Sequence, residues 1–542
     1  MSAHPPVVIP RPAATLVVVR DADCGIEVLL MRRTRDLVFA GGAHVFPGGA
    51  VDPADGDPAL AAACAGLDDA RASRALGVDA GGLAYWICAI RECFEESGLL
   101  YAYHGEGLAR LDTRPADAFG ALVAGRGLRI AADRLDYLSR WITQAGRPRR
   151  YDTRFFVAEA PAHQRSMHDG REAVGHDWLA PRAALERHAR GEIQLLFPTI
   201  KTLELLARFG RAADALDYAR TPRPMPPMAP RTATGRAGSK LLVPGDFAYA
   251  EIGKLDPDGK GTASYEIVPG ETVGIAPGIR RLTAPNPGAM TGPGTNTYLL
   301  GDEASGVAVI DPGPAIDAHV EAIVAAAGGP IRWILCTHTH VDHSPAAAPL
   351  AARSGAQVMG MRARHPERQD PTFAPARELA HGDRLALAGR SLRVLHTPGH
   401  ASNQVCFLDE AERMLFTGDH LMQGSTVVIN PPDGDMATYL ASLRLLFGER
   451  LDFVAPGHGF LMDRPHERVE RVLVHRMERE NKILAAIAEH GPATLEALLP
   501  RVYDDVPERM HPVASRSLLA HLLKLRDEGR AAEAGGAWRP GG

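Results

Sequence analysis

Three imidazoles and one carboxylate lie within six residues, directly after an apolar run. They occur in the stretch Thr337-His338-Thr339-His340-Val341-Asp342-His343, and the run before it, residues 331–336, is predicted to be a buried strand. Imidazole nitrogens with a carboxylate suit a borderline cation such as Zn²⁺, with Fe or Mn as alternatives, and suit Mg²⁺ poorly. A lone His-x-His is more often part of a solvated loop. The metal interpretation therefore depends on further ligands elsewhere in the chain.

Three later segments supply such ligands, each at the end of an apolar run. Residues 394–400, 414–419 and 453–458 each show an apolar run, a turn of small residues and then a ligand. The three ligands are His400, Asp419 and His458. Because each ligand follows a strand, the side chains are expected to converge on one rim of the fold.

This ordered set of histidines and aspartates resembles the metallo-β-lactamase superfamily, and within it the glyoxalase II-like branch. The resemblance implies two metal ions, one held by His338, His340 and His400, the other by Asp342, His343 and His458, with Asp419 bridging them. It also implies that a hydroxide shared by both metals is the nucleophile, since a bound cation lowers the pKa of water toward about 7. Asp342 would in addition orient this hydroxide and accept its proton.

A second group of chemically suggestive side chains lies near the start of the chain. Glu92, Glu95 and Glu96 stand at i, i+3 and i+4, so on a helix their carboxylates share one face. Three glutamates alone would most often mark a solvent-facing helix. Arg91 and the Phe-Pro-Gly-Gly sequence at 46–49 favour instead a face that holds a cation.

This combination resembles the Nudix box, whose glutamates bind Mg²⁺ or Mn²⁺ and whose glycine turn admits a diphosphate. The resemblance implies that Glu92, Glu95 and Glu96 are metal ligands, with Glu95 and Glu96 also acting in catalysis. The box is split, because 35 residues separate Asp55 from Arg91. A split box is similar to that of the coenzyme A diphosphatase branch of Nudix hydrolases.

A chain of 542 residues predicts two to four domains. The segment after residue 220 is rich in proline and glycine and is predicted to be an extended linker. Helical apolar stripes after residue 466 resemble the winged-helix tail of lactamase-like hydrolases that include single-strand endoribonucleases. The predicted architecture is a Nudix-like α+β domain over 10–220, a linker over 221–264, a metallo-β-lactamase αβ/βα sandwich over 265–466 and a winged-helix tail over 467–542.

Composition and charge restrict the partners. The net charge is −5, and residues 465–542 hold 12 Lys or Arg against 12 Asp or Glu, so no basic stripe indicates nucleic-acid binding. Six cysteines without a C-x-x-C pair indicate free thiols in a reducing compartment: Cys24, Cys64, Cys88, Cys93, Cys336 and Cys406. The first residues lack the pattern of a secretion signal, and no apolar stretch of 18 residues occurs. We expect a cytoplasmic protein without a membrane segment.

These observations predict a bifunctional metal-dependent hydrolase. The C-terminal site would carry two Zn²⁺, with Fe or Mn as alternatives, and cleave a phosphodiester or a thioester. The N-terminal site would use Mg²⁺ or Mn²⁺ on a nucleotide or coenzyme A-type small molecule. Open alternatives are an acyl-coenzyme A thioesterase fused to a coenzyme A diphosphatase, and a Nudix-like nucleotide sensor that regulates the other half. Single-stranded RNA as a substrate and a homodimer also stay open.

Two further residues near the C-terminal ligands are candidates for supporting roles. Asn296 follows a glycine-rich turn and is expected to line the substrate pocket, and Asp311 ends a strand and is expected to hold a ligand imidazole. Turn capping by Asn296 and strand ending by Asp311 are equally consistent with the sequence.

Overall fold

The computed structural model describes residues 8–23, 25–34, 41–110, 118–168, 170 and 172–541. The chain divides into two compact units, one ending at Arg231 and including residues 258–260, the other comprising residues 232–257 and 261–542. The five described cysteines are free thiols, and four of them are buried. Cys24 lies outside the described residues.

The first unit combines a mixed β-sheet with helices. The sheet order is β10-β2-β1-β9-β8, with β3 added to β2 and β4 to β1. The element bounds are β1 (Arg11–Ala22), β2 (Gly25–Arg33), β3 (His44–Val45), β4 (Gly48–Ala50), α1 (Pro58–Ala62), α2 (Asp69–Leu76), α3 (Leu83–Ser97), β5 (Ala102–His104), β6 (Gly107–Leu108), α4 (Phe119–Gly125), β7 (Arg129–Ile130), β8 (Asp136–Ile142), β9 (Tyr151–Glu159), β10 (Ala173–Leu179), α5 (Pro181–Ala189), α6 (Phe197–Leu206) and α7 (Ala212–Arg220).

Strand β1 lies at the centre of this sheet and is buried on both faces. Leu16 and Val18 belong to a core that includes α3, whereas Val17 and Val19 belong to the core on the opposite face, with α6 and α7. Alternate residues of a strand point to opposite faces, so its near-continuous apolar run is what a sheet covered on both sides requires. Helix α3, which carries the three glutamates, is thereby fixed against the sheet.

The second unit is built from shorter strands and a long helix near its end. Within the described part of the chain, every helix is too short or too polar to span a lipid bilayer. The bounds from residue 231 onward are β11 (Arg231–Ala233), β12 (Lys240–Leu242), α8 (Tyr249–Leu255), β13 (Thr272–Ala276), β14 (Ile279–Thr283), β15 (Asn296–Asp302), β16 (Gly306–Ile310), α9 (Asp317–Ala326), β17 (Ile331–Leu335), α10 (Ala347–Ser354), β18 (Gln357–Gly360), β19 (Arg377–Glu378), β20 (Arg384–Leu387), β21 (Arg390–His396), β22 (Val405–Asp409), β23 (Met414–Gly418), α11 (Met436–Leu445), β24 (Phe453–Pro456), β25 (Met462–Asp463), α12 (Pro465–His490), β26 (Ala493–Thr494), α13 (Leu495–Val502), α14 (His511–Asp527), β27 (Ala531–Ala534) and β28 (Ala537–Pro540).

Two sheets of this unit pack face to face. Strands β13 to β19 form one sheet and β20 to β25 the other, each in sequence order. Tyr298 and Leu300 of the first sheet share a buried core with Phe407 and Phe416 of the second. Helices α9 and α10 cover the outer face of the first sheet, and α11 and α12 that of the second. The structure thus confirms the αβ/βα sandwich that the resemblance implies.

Part of the segment predicted to be a linker is folded instead. Helix α8 lies within residues 221–264, and its Glu251 is 1% exposed. The Arg281 guanidinium donates to both carboxylate oxygens of Glu251 at 2.6 and 2.9 Å. The prediction of an extended, poorly packed chain is therefore wrong for α8, because the partner that holds this helix lies 30 residues further along the chain.

The tail after the sandwich has helices followed by a small sheet. Helices α12, α13 and α14 pack around a core that includes Ile483, Leu498 and Leu522, and Trp538 of β28 closes it. Strands β26, β28 and β27 pair antiparallel. The predicted apolar stripes are therefore buried in one shared core, as a winged helix requires.

Candidate metal centres

The predicted C-terminal ligands all follow the carboxyl ends of strands. The stretch 337–343 follows β17 of the first sheet, and the other three ligands follow β21, β23 and β24 of the second. The structure brings all seven side chains together. We call His338, His340 and His400 the first ligand cluster, and Asp342, His343 and His458 the second.

Ring nitrogens of the first ligand cluster converge on one point. His338 Nε2 and His400 Nε2 each lie 3.0 Å from His340 Nδ1. These nitrogens are aimed at one another rather than at other polar groups. Three imidazole nitrogens in this arrangement provide three protein ligands and leave one side open, as in catalytic metal sites.

Asp419 lies between the two clusters. Its Oδ1 is 3.4 Å from His343 Nε2 and 3.3 Å from His458 Nε2, and its Oδ2 is 3.7 Å from His400 Nε2. A Cβ atom at Gly457 would come within 2.7 Å of Asp419 Oδ1, so only glycine allows the chain to pass this close. One carboxylate thus faces both groups of imidazoles.

The remaining member of the second ligand cluster, Asp342, closes its other side. Asp342 Oδ2 lies 3.5 Å from His343 Nε2 and 3.4 Å from His458 Nε2. Its side chain is 24% exposed, whereas that of Asp419 is 12% exposed. Of the two carboxylates, Asp342 is therefore the more accessible to solvent.

The far side of each positioned imidazole is held by a hydrogen bond. His343 Nδ1 donates to Asp311 Oδ2 at 2.9 Å, which confirms the partner predicted for a ligand imidazole. His400 Nδ1 donates to the Val428 carbonyl at 2.8 Å, and His458 Nδ1 lies 3.2 Å from the Gly294 carbonyl. Such bonds fix the tautomer and leave Nε2 for a cation. Carbonyl partners could not be found from the sequence, because every residue carries a carbonyl.

The charges of this site are consistent with bound cations. Burial lowers the pKa of His338 well below its ordinary value and the pKa of His340 to about 3, so both rings are neutral and can act as ligands. Burial acts the same way on His343 and His458, but Asp342 and Asp419, with Asp311 in addition at His343, outweigh it. They raise the pKa of His343 well above its ordinary value and that of His458 to about 9.

Buried polar atoms that form no hydrogen bond show whether these side chains suit a divalent cation. His343 Nε2 and Asp419 Oδ1 are buried and form no hydrogen bond, and they face each other at 3.4 Å. Buried polar atoms without hydrogen bonds are costly, and a divalent cation would give both a close ligand bond and balance the aspartates. The donors present, five imidazoles and two carboxylates, therefore fit divalent metal ions of the Zn²⁺ type.

Asn296 does not have the position predicted for a pocket residue. It is fully buried, and its Nδ2 donates to the carbonyls of Pro456 and Gly459 at 3.1 and 2.8 Å. Its Oδ1 accepts from Thr283 Oγ1 at 2.8 Å. Asn296 therefore positions the loop that carries His458, and the prediction that it lines the substrate pocket is wrong.

The N-terminal glutamates lie on α3, as their spacing predicts. The Gly48 N–H donates to Glu96 Oε2 at 3.1 Å, and a Cβ at Gly49 would lie 2.5 Å from Glu92 Oε1. Burial raises the pKa of Glu92, and burial followed by the charge of Glu92 raises the pKa of Glu96 to about 8. The glycine turn therefore lies directly against two of the three carboxylates.

The two halves of the split box meet in the structure. The Arg91 guanidinium donates to both oxygens of the buried Asp55 carboxylate at 2.7 and 2.9 Å. It also donates to Glu92 at 2.8 Å and to Glu95 at 3.0 Å. The inserted residues 56–90 therefore form an excursion whose two ends are joined by the ion pair between Asp55 and Arg91.

The three glutamates are arranged differently from the C-terminal ligands. Among the described residues, sets of three ligand atoms within 4.8 Å of one another occur at the C-terminal site and do not include the glutamates. Arg91 provides the positive charge beside Glu92 and Glu95 in this arrangement. The three carboxylates share a helix face, but their oxygens do not converge on one point.

Two family descriptions match the second unit. The metallo-beta-lactamase superfamily matches residues 290–458, and the beta-lactamase associated winged helix domain matches residues 494–538. The Beta-lactamase-like protein 2 homolog of Drosophila melanogaster is 32% identical over 276 residues, which span 47% of this chain and 92% of that protein. The chain belongs to the metallo-beta-lactamase superfamily and is a hydrolase with a winged-helix tail. The superfamily fold, with its His and Asp clusters, implies divalent metal binding.

Two other proteins are similar to parts of the chain. Thioesterase pkgB of Emericella nidulans is 34% identical over 221 residues, which span 40% of this chain and 61% of that protein. A solved NUDIX hydrolase from Alicyclobacillus acidocaldarius is 32% identical, covers 39% of this chain and 96% of its own, and has a TM-score of 0.33.

Proposed function

We propose that this chain is a bifunctional metal-dependent hydrolase whose C-terminal site cleaves a thioester. The observation that carries this proposal is the Asp419 carboxylate, which lies 3.3 and 3.4 Å from the second ligand cluster and 3.7 Å from His400 of the first. One carboxylate between two imidazole groups is suited to two cations that share a ligand. The first cluster would hold one ion and the second cluster the other, with Zn²⁺ favoured and Fe or Mn as alternatives.

Each side chain of the site has a distinct task in this proposal. Divalent ions held by the two ligand clusters would supply Lewis-acid chemistry, lowering the pKa of water and polarising the thioester carbonyl. Asp342 Oδ2 orients the attacking water and accepts its proton, a task for which its partial exposure suits it. The C–S bond breaks as the C–O bond forms, and the proton held on Asp342 passes to the leaving thiolate. Acid and thiol are the products.

A thioester is favoured over a phosphodiester for two reasons. A relative that is 34% identical over 221 residues is named as a thioesterase. In addition, the winged-helix tail carries equal numbers of acidic and basic residues, so its net charge does not favour binding of a phosphate backbone.

Turnover of matched substrates by the full-length protein tests this choice. We expect hydrolysis of acyl pantetheine and acyl-coenzyme A, and loss of both activities in His340→Ala. The control is Lys482→Ala, an exposed site on α12, which should retain the parent rate within twofold. Cleavage of single-stranded RNA without thioester hydrolysis would contradict the proposal.

We further propose that the N-terminal unit hydrolyses a nucleoside diphosphate-linked compound with Mg²⁺ or Mn²⁺ held by Glu92, Glu95 and Glu96. The pairing of Asp55 with Arg91 supports this, because it keeps the inserted residues from displacing the glycine turn. The Gly48 N–H bonded to Glu96 places that turn beside the carboxylates. All-carboxylate ligands are hard donors and favour Mg²⁺ or Mn²⁺ over Zn²⁺.

Metal-dependent release of nucleotide from coenzyme A and related diphosphates tests this second activity. Activity should appear with Mg²⁺ or Mn²⁺ and disappear in the Glu95→Gln/Glu96→Gln protein, while thioester hydrolysis stays within a few-fold of the parent. A full-length protein that binds a diphosphate but cleaves none with either metal would make the N-terminal unit a nucleotide sensor instead.

A further inference from the structure

A cavity of about 520 Å³ lies beside the loop that follows Asp419. Its walls are residues 421–428, one face of α12, and residues 503–517 of the winged-helix tail. This volume is in the range of small-molecule sites. The loop also contacts the metal ligands, because His400 Nδ1 donates to the Val428 carbonyl at 2.8 Å. A molecule in this cavity would therefore lie against the loop that positions a ligand.

The face of α12 that lines the cavity is strongly basic. Four guanidinium groups and one imidazole recur at helical spacing along it. They belong to Arg468, Arg471, His475, Arg476 and Arg479. Asp505 is the carboxylate among the lining residues, and Arg479 holds it at 2.7 and 3.0 Å. Arg468 and Arg471 lie 3.2 and 3.8 Å from carboxylates outside the lining, those of Asp463 and Glu467. Among the described residues, Arg476 is therefore the guanidinium of this face that has no carboxylate partner.

Arg476 is the most deeply buried of these guanidinium groups. It is 2% exposed, and its Nη2 donates to the Val427 carbonyl, but its Nε is buried without a hydrogen-bond partner. Within the described residues no carboxylate pairs with it, whereas the equally buried Arg281 holds Glu251. A buried, unpaired guanidinium is costly, and an anion in the cavity would satisfy it. The cavity is thus suited to a ligand with a phosphate or similar group.

We propose that this cavity binds the phosphate of an acyl-carrying thiol of the 4′-phosphopantetheine class, with Arg476 as the main anion ligand. This inference rests on the proposed thioester hydrolysis, since that class presents a phosphate at one end of an extended arm and the thioester at the other. The phosphate would lie beside residues 421–428, whose Val428 carbonyl holds His400, and the arm would extend from there toward the metal centre. Arg476 is here a specificity residue and does not contact the reacting atoms.

A small phosphate-bearing thiol fits this site better than an RNA strand. Arg476 lines the cavity and is almost fully buried, so its donors are not presented on an open groove. A nucleic-acid strand needs a continuous basic surface, and residues 465–542 hold 12 basic and 12 acidic residues. RNA binding is therefore an outcome of the test and not part of the proposal.

Calorimetric titration of the full-length protein tests the binding. The background is Glu95→Gln/Glu96→Gln, so that the N-terminal glutamates add no metal-dependent phosphate binding. We expect 4′-phosphopantetheine to bind and Arg476→Met to weaken it by roughly tenfold to a hundredfold, the value of a charge-assisted hydrogen bond. Pantetheine, which lacks the phosphate, should bind weakly and equally to both proteins. Arg516→Met, at an exposed arginine on α14, is the matched control and should stay within twofold.

Further variants keep the test decisive if Arg476→Met does not fold. Arg471→Met, whose side chain is 69% exposed, should weaken 4′-phosphopantetheine by about threefold. Arg476→Lys keeps the charge without the forked donors and should bind with intermediate affinity. Equal binding of phosphorylated and unphosphorylated ligand to all variants would overturn the inference. So would inorganic phosphate that binds as tightly as 4′-phosphopantetheine, or single-stranded RNA whose binding alone depends on Arg476.

Turnover separates failure of this inference from failure of the proposed function. With a phosphorylated acyl thioester, Arg476→Met should raise KM by about tenfold or more, while kcat/KM for acyl pantetheine stays unchanged. If both substrates are hydrolysed equally well by parent and variant, the cavity assignment is wrong and the thioesterase stands. If neither is hydrolysed but 4′-phosphopantetheine binding depends on Arg476, the thioesterase is wrong and the cavity assignment stands.

Discussion

The C-terminal histidine clusters and the N-terminal glutamates bring together side chains that could bind metals in two different ways. In the histidine clusters, hydrogen bonds to the far side of His343, His400 and His458 leave the Nε2 atoms directed at common points. In the glutamate group, the Arg91 guanidinium holds Glu92 and Glu95 in ion pairs. The first arrangement is preorganised for a cation. The second already contains a positive charge, that of Arg91, which pairs with the glutamates in the place of a cation.

This difference has a chemical cause. The buried imidazoles of His338 and His340 have lowered pKa values and stay neutral, so they can be packed together without a cation. Carboxylates of like charge cannot be packed in this way, and Glu96 responds to its burial with a pKa raised to about 8. A group of carboxylates therefore needs a counter-charge, which Arg91 supplies for Glu92 and Glu95.

The largest expected effect is the separation of the two activities by mutation. His340→Ala removes the nitrogen on which His338 and His400 converge, so thioester hydrolysis should fall to background while diphosphate hydrolysis stays within twofold. Glu95→Gln/Glu96→Gln should have the reverse effect. Both reactions are measured on the same full-length preparations. Loss of both activities in either protein would show that the two sites do not act independently.

A smaller effect is expected when the ligand set stays complete but the proton acceptor is lost. Asp342→Asn keeps an oxygen near His343 and His458 but cannot accept a proton, so kcat for the thioester should fall by about 10²- to 10³-fold. Metal content, measured by mass spectrometry of the elements, should stay close to the parent. If metal content and rate fall in proportion, Asp342 acts as a ligand only.

The smallest effect is expected for Asp311, which binds the ring nitrogen of His343 that faces away from the metal site. Asp311 accepts hydrogen bonds from His343 Nδ1 and from Thr337, and it has a φ of 50°, which asparagine tolerates. Asp311→Asn should therefore fold, yet weaken metal affinity by about 10- to 100-fold. Competition with a chelator measures the affinity. An unchanged affinity would make Asp311 a strand-ending residue without influence on the metal.

The sequence allowed the convergence of the C-terminal side chains to be predicted, because each candidate ligand follows the end of a strand. Each of His400, Asp419 and His458 comes after an apolar run and a turn of small residues, and the structure brings all of them to the stretch 337–343. The apolar stripes of α12 and α14 likewise predicted the core of the tail. Local patterns of this kind are visible without knowledge of distant contacts.

Features that depend on distant partners could not be predicted. Helix α8 lies in a segment that composition describes as linker, because the Arg281 that pairs with Glu251 is remote in sequence. Asn296 is polar and next to glycine-rich residues, yet its side-chain amide donates hydrogen bonds to the carbonyls of Pro456 and Gly459. The unpaired state of Arg476 is equally invisible in the sequence, since any of the arginines of α12 could have had a carboxylate partner.

Metal analysis of the C-terminal site tests the central claim most directly. The full-length Glu95→Gln/Glu96→Gln protein is used, so that Mn²⁺ at the N-terminal glutamates does not add to the count. We predict about two equivalents of Zn, Fe or Mn per chain, and one or fewer after His343→Ala, because His343 contacts both Asp342 and Asp419. A single equivalent in the parent, or two equivalents that persist in His343→Ala, would contradict a two-metal site shared through Asp419.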